Sequence, residues 1–263
     1  MEKSELAGFI FLINFGSYMK NFNLFLIFTL SLSLFSEGQV KENMLMERFN
    51  MNAFNPAYVG SDGREVSFTT RSTWKGIKDA PKTNYFYYGG NPKKNLSLGL
   101  SVLSNKVYID RRNQYTADAS YRLEMGGGIK LFLGVKAGAG SNNTDIDGLK
   151  RITNEPNASI AATSNSIFPI FGFGALLKSS KFYISASIPN FLNPGKFVKD
   201  DSFVGSEKPN TYLLAGTSFN TGIFNSKLNP FVSAKLIPDG ENQTHIGATL
   251  GFGDIIEIGT GYK

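Results

Sequence analysis

The chain of 263 residues has no cysteine, a single histidine, a single tryptophan and only 18% charged residues. Without cysteine there is no disulfide framework and no thiolate metal centre. The one imidazole, His245, lies on the polar side of "THIGATLGFG", beside Gly247 and Thr249. A Ser-His pair would need a serine from the same face of a neighbouring strand, and no nucleophile elbow or H-x-x-x-H spacing marks one. His245 therefore reads as a lumen or rim residue, and no catalytic residues are expected. The net charge of +6 is modest and scattered; Lys93-Lys94 and Arg111-Arg112 stand apart in sequence. A nucleic-acid binder gathers such charge on one stripe, so no nucleic acid partner is expected. "EMGGGIK" lacks the spacing of a phosphate loop and reads as a tight turn. No cofactor is expected.

Apolar residues make up 41% of the chain, with 28 glycines, 23 phenylalanines and 11 tyrosines. The N-terminus holds the longest apolar run, since Leu6 to Phe35 contains a single charge. From Met19, "MKNFNLFLIFTLSLSLFSEG" has a basic start at Lys20, an apolar stretch, and small residues at Ser36 and Gly38. That is the layout of a secretory signal, with a cut expected between Gly38 and Gln39 and Met19 as initiator. Residues 1–38 are thus read as an N-terminal extension plus signal peptide, and residues 39–64 as a periplasmic lead-in. An uncleaved membrane helix is the other reading of this run.

Beyond residue 60, helical periodicity gives way to alternation. Leu96, Leu98, Leu100 and Val102 alternate with Ser97, Gly99 and Ser101; Tyr115 to Met125 and Ile129 to Ala139 continue the pattern. Further ladders run at 167–178, 181–188, 227–237, 244–252 and 255–262, with weaker ones at 65–74, 83–90 and 210–220. Each of these eleven segments has one apolar face. A barrel of this size with that face inward would enclose a void too wide for side chains to fill. With the apolar face turned to lipid, Arg71, Lys75, Asp118, Arg122, Glu124, Lys130, Lys136 and Lys178 line a polar lumen. The segments also have the length that a tilted membrane-spanning strand needs. The expected fold is an all-β, antiparallel outer-membrane barrel over residues 65–263. A soluble two-sheet sandwich is the alternative.

The connections alternate in kind. KVYIDRRN, 141–166 and 190–209 read as long outer loops; Gly126–Gly128, Ser179–Lys181 and Gly253–Asp254 read as tight periplasmic turns. Within the 141–166 stretch, "NTDIDG" sets Asn143, Asp145, Asp147 and Gly148 at calcium-loop spacing. The twelfth position is Asn154 rather than a bidentate Glu, and Glu155 falls one residue late. A solvated loop without metal is expected.

"FNPAYVGSDG" precedes the first ladder; Pro56 favours an extended Asn55, and Ser61-Asp62-Gly63 is turn chemistry. "NPAYVGSDG", followed by "RSTWKGIKDAPKT" and "LSLGLSVLSNKV", resembles the N-terminal block of the PorP/SprF family of type IX secretion membrane proteins. The resemblance rests on Asn55, Pro56, Ala57, Tyr58 and Gly60, then Arg71, Trp74, Gly76, Ala80, Pro81 and Thr83. It departs at Thr73, where the family has Gln, and at Asp79, where it has Gly. "GIKLFLGVKAG" and "FGFGALLKSSKFYISASIPNFLN" extend it along the chain. It implies an outer-membrane accessory or scaffold of the type IX secretion and gliding machinery. The implied partners are outer-membrane lipid, periplasmic ring components and a secreted surface adhesin. The alternative is a passive diffusion channel or small-ligand transporter. Within this frame Asn55 to Gly60 either docks a partner or seals the first strand, and Trp74 is expected on the lipid face of that strand. Eleven strands are an odd count, and the family continues beyond the G-x-x-Y strand, so a C-terminally truncated, incompletely closed barrel with an edge at 255–262 is expected.

Overall fold

The computed structural model describes residues 50–262 apart from 75, 78–79, 91–94, 145–163, 193–208, 223–225, 239 and 254–255. The signal region with its cleavage point, Lys75, Asp79, the acidic part of the calcium-like loop and most of 190–209 lie outside the described residues. Every described residue belongs to the unit Met44–Lys263.

A single helical turn α1 (Met51–Phe54) and a 3-10 turn (Pro56–Tyr58) lead into β1 (Glu65–Ser72) and β2 (Lys82–Gly90). They are followed by β3 (Leu96–Val107), β4 (Asp110–Gly126), β5 (Ile129–Thr144), β6 (Ser164–Lys178) and β7 (Phe182–Ile188). The last strands are β8 (Thr211–Thr217), β9 (Phe219–Asn220), β10 (Ser226–Leu236), β11 (Gln243–Phe252) and β12 (Ile256–Tyr262). They form one antiparallel sheet in sequence order, with the two-residue β9 beside β10. Among the described residues no register joins β12 to β1, so the barrel is incompletely closed.

All eleven alternating segments became strands. The ladder at 210–220 breaks at Ser218, whose amide donates to Lys181 O (2.7 Å) and whose hydroxyl donates to Asn229 Oδ1 (2.8 Å), separating β8 from β9. KVYIDRRN is not a loop. β3 and β4 run on through it, pairing Asn105 with Arg112 and Lys106 with Arg111, and turn over Tyr108 and Ile109. Its polar residues masked a strand because alternation reports burial, and a ladder that continues beyond an apolar band needs no apolar face. In the same way β5 and β6 pair as far as Thr144 and Ser164, into the stretch read as a loop.

The sheet is inside out by the standards of a water-soluble protein. Val135 is 60% exposed while its neighbour Lys136 is 5% exposed. Along β3, Leu98, Leu100 and Val102 face outward, and Ser97, Gly99 and Ser101 are buried. Inward polar groups satisfy one another across strands: the hydroxyls of Ser101 and Thr116 lie 2.6 Å apart, and Thr83 donates to Asn105 Oδ1 at 3.0 Å. An exposed apolar surface of this extent requires an apolar solvent or a partner. Substituting Val135→Lys should lower stability by about 2–4 kcal/mol in lipid bilayers, read by denaturant unfolding of bilayer-refolded protein. An unchanged unfolding midpoint would place the outward face in water.

Candidate functional site: a segment seated on the polar face

The residues before β1 do not stop at its foot. They cross the inward face of the sheet. Asn50 Oδ1 accepts from Thr69 of β1 (2.9 Å), and the Phe54 ring packs on Tyr212 of β8, centroids 5.0 Å apart. One short segment can reach both only because the intervening strands curl around it.

The sequence dictates its local form. Asn55 is extended at φ −134° and ψ 113°, as a residue before proline should be, and its Oδ1 accepts from the Ala57 amide at 2.8 Å. Pro56 then opens the 3-10 turn, where a missing N–H leaves nothing unsatisfied. The sheet supplies the seat. Lys136 Nζ donates to Asn52 O (3.2 Å) and Ala53 O (3.1 Å), Ser187 Oγ to Phe54 O (3.0 Å), and Ser120 Oγ to Ala57 O (3.2 Å). In return Asn55 Nδ2 donates to Ala175 O at 3.0 Å. Glycine is required at two seat positions. A Cβ on Gly134 would lie 2.2 Å from the Ala57 nitrogen, and one on Gly174 would lie 2.1 Å from Asn55 Oδ1.

Lys136 also faces Asp118, with Nζ 3.5 Å from Oδ1 and both side chains almost wholly buried. The pair is isolated from water by the segment itself, so each charge depends on the other and on the two carbonyls. Around this polar anchor lie two small apolar clusters. Ala57 packs with Phe132 and Leu176, and Val59 with Tyr85 and Tyr87. Tyr58 meets Tyr183 edge-on at 6.4 Å, and burial pushes its phenol above the ordinary tyrosine range, with Ser185 partly offsetting the shift. At the exposed end of the segment Asp62 pairs with Lys178, a contact worth little at such a surface. A cavity of about 830 Å³ opens beside the segment, bounded by Met51, Tyr58, Glu65 and Lys178 on one side and Lys227, Asn229 and Glu257 on the other. Glu257 accepts from Asn229 and Thr249 there.

The structure divides the motif residues into two groups. Asn55, Pro56, Ala57, Tyr58 and Gly60 belong to the seated segment. Arg71 pairs with Thr83 across β1 and β2, and Trp74, Gly76, Ala80 and Pro81 form the hairpin beyond them. Trp74 does not lie on the strand face: β1 ends at Ser72, and Trp74 is in the hairpin at φ 57°, half exposed. The amide of Thr73 donates to Pro81 O (2.9 Å), and that of Ile77 to Trp74 O (3.1 Å), closing a turn in which left-handed Gly76 is needed. The β1 residues from Glu65 to Thr70, roughly 20 Å of extended chain, lie between the two groups.

Of the expected lumen set, Asp118 and Lys136 meet, and Arg122 pairs with Glu124 at 3.1 Å. Glu124 stands across from Lys130, which stands across from Lys178. His245 stands across from Ser233, with Gln243, Gly247 and Thr249 at its neighbouring inward positions. Asn143 is a paired β5 residue, opposite Arg111 and Asn165. Sequence reasoning missed the seat itself: Ser120, Gly134, Gly174 and Ser187. Its trace was a run of small residues on the polar face, which also suits any open lumen.

An antiparallel sheet with an apolar exterior, a polar interior and its own N-terminal segment inside defines a β-barrel type of membrane protein. The profile of the family described as "Type IX secretion system membrane protein PorP/SprF" matches residues 38–263, and the chain belongs to that family. No curated protein and no solved structure matches it significantly.

Removing one partner of the buried pair is the sharpest test of this packing. Asp118→Ala should cost about 3–5 kcal/mol by stranding Lys136, and the double variant Asp118→Ala/Lys136→Met should recover part of that loss in denaturant unfolding. Equal stability of Asp118→Ala and the parent would contradict a water-free pair.

Proposed function

We propose that this chain is an outer-membrane accessory or scaffold of the type IX secretion and gliding machinery, assisting export or surface anchoring of a partner adhesin. Its apolar exterior faces lipid, and periplasmic ring components of the same machinery are its partners on the inner side. Family membership supports the machinery. The scaffold role rests on one observation: residues 50–62 are seated on the inward polar face, which a channel would leave to solute. A diffusion channel or small-ligand transporter needs that space, and a scaffold does not.

The two motif groups then divide the work. Asn55 to Gly60 fill and hold the barrel interior, while the Arg71–Thr83 hairpin offers docking contacts. Trp74 and Ile77 are large apolar groups, 53% and 62% exposed at its tip. Tryptophans of that kind carry binding energy at interfaces. Trp74→Ala should leave unfolding unchanged and reduce recovery of secretion partners about tenfold in a pull-down from outer membranes with mass spectrometry. Undiminished recovery of those partners would remove the hairpin from the docking surface. Steady conductance of the parent protein in planar bilayers would favour the channel instead.

A further inference from the structure

We propose that the inward face of β4–β7 is a peptide-binding site for an Asn-Pro-small turn, occupied in this chain by its own residues 52–59. The contacts between segment and sheet have the form of a receptor holding a ligand rather than of one continuous core.

Four main-chain amides of the segment are satisfied within it. Asn55 N donates to Met51 O (2.8 Å), Ala57 N to Asn55 Oδ1 (2.8 Å), Tyr58 N to Asn55 O (3.2 Å) and Val59 N to Pro56 O (3.2 Å). Pro56 has no donor to satisfy. What remains is a row of carbonyls at 52, 53, 54 and 57, and each is met by a donor from the sheet: Lys136, Ser187 or Ser120. Buried polar groups must find partners, and these four main-chain carbonyls find theirs on the sheet, while the Asn55 side chain donates the other way, to Ala175 O.

Selectivity follows from three features. The Asn55 amide reaches Ala175 O, a main-chain acceptor on β6 that a shorter or acidic side chain could not use. Pro56 is buried and fixes the bend. Ala57 packs so close to Gly134 that the backbone itself is being read, leaving no room for a displaced main chain. The only covalent route from this segment to β1 is the Gly60–Arg64 turn, where Gly60 and Gly63 take left-handed conformations and Asp62 and Arg64 are exposed. Its ion pair between Asp62 and Lys178 is exposed and lies outside residues 52–59. The link tethers.

The ligand class is therefore a short peptide with the Asn-Pro-small turn, whether tethered or supplied by a second copy of this chain. A protease site inserted between Gly63 and Arg64, cut after refolding in detergent, separates tether from site. Excess dye-labelled peptide of residues 50–62 should then exchange into the cut protein, and the same peptide with Asn55→Ala should bind about tenfold more weakly. The variation is confined to the peptide, so the sheet's own folding is untouched; circular dichroism monitors it throughout. Equal uptake of the two peptides would overturn the proposal. So would a fragment that leaves without being replaced, or one that leaves only as the sheet unfolds.

Discussion

A buried lysine is tolerable only with partners, and the partners of Lys136 organise the molecule. Asp118 comes from the neighbouring strand, and the carbonyls of Asn52 and Ala53 come from the segment ahead of β1. Without the segment, Lys136 and Asp118 would sit on a wet inner wall. With it, they are enclosed, and the segment's path across the sheet is fixed at its middle. The two clusters beyond, around Ala57 and Val59, are small, and neither would hold the chain there alone. Polar contacts therefore set position, and apolar ones fill the space that remains. This reverses the usual order, because the larger apolar surface of the sheet points outward.

The outward face explains why the interior can be so polar. A sheet whose Leu, Val and Phe residues face an apolar medium has already buried them and is free to line its other side with Ser, Thr, Asn and Gly. Those residues pair across strands, as Ser101 with Thr116 and Thr83 with Asn105. Small inward residues do a second job: Gly134 admits the main chain at Pro56–Ala57, and Gly174 admits the Asn55 side chain. Such an inner face can hold chain as well as polar side chains.

The strands were legible in the sequence because alternation reports burial on one face, and burial is decided by the two faces' different solvents. Strand ends were less so. Where β3 and β4 run on past their apolar stretch, Asn105–Lys106 and Arg111–Arg112 look like loop, and only the ladder reveals otherwise. Trp74 was misplaced for a related reason: a continuing pattern of alternation hid the turn that Gly76 makes two residues later. The motif residues Asn55 to Gly60 were visible as a block, and the conformations that Pro56 imposes on them could be foreseen. Their location could not. Side-chain donors at positions 120, 136 and 187 converge on main-chain carbonyls, and main-chain acceptors carry no sequence signature at all.

The account stands on residues 50–60 being enclosed by the sheet, and the absence of cysteine makes this directly measurable. Single-cysteine variants at Ala57, which is fully buried, and at Asp62, which is exposed, would be treated with a polar maleimide in detergent. The account predicts rapid labelling at position 62, and at position 57 labelling slower by at least about a hundredfold until denaturant is added. Equal rates at the two positions in the folded protein would contradict it.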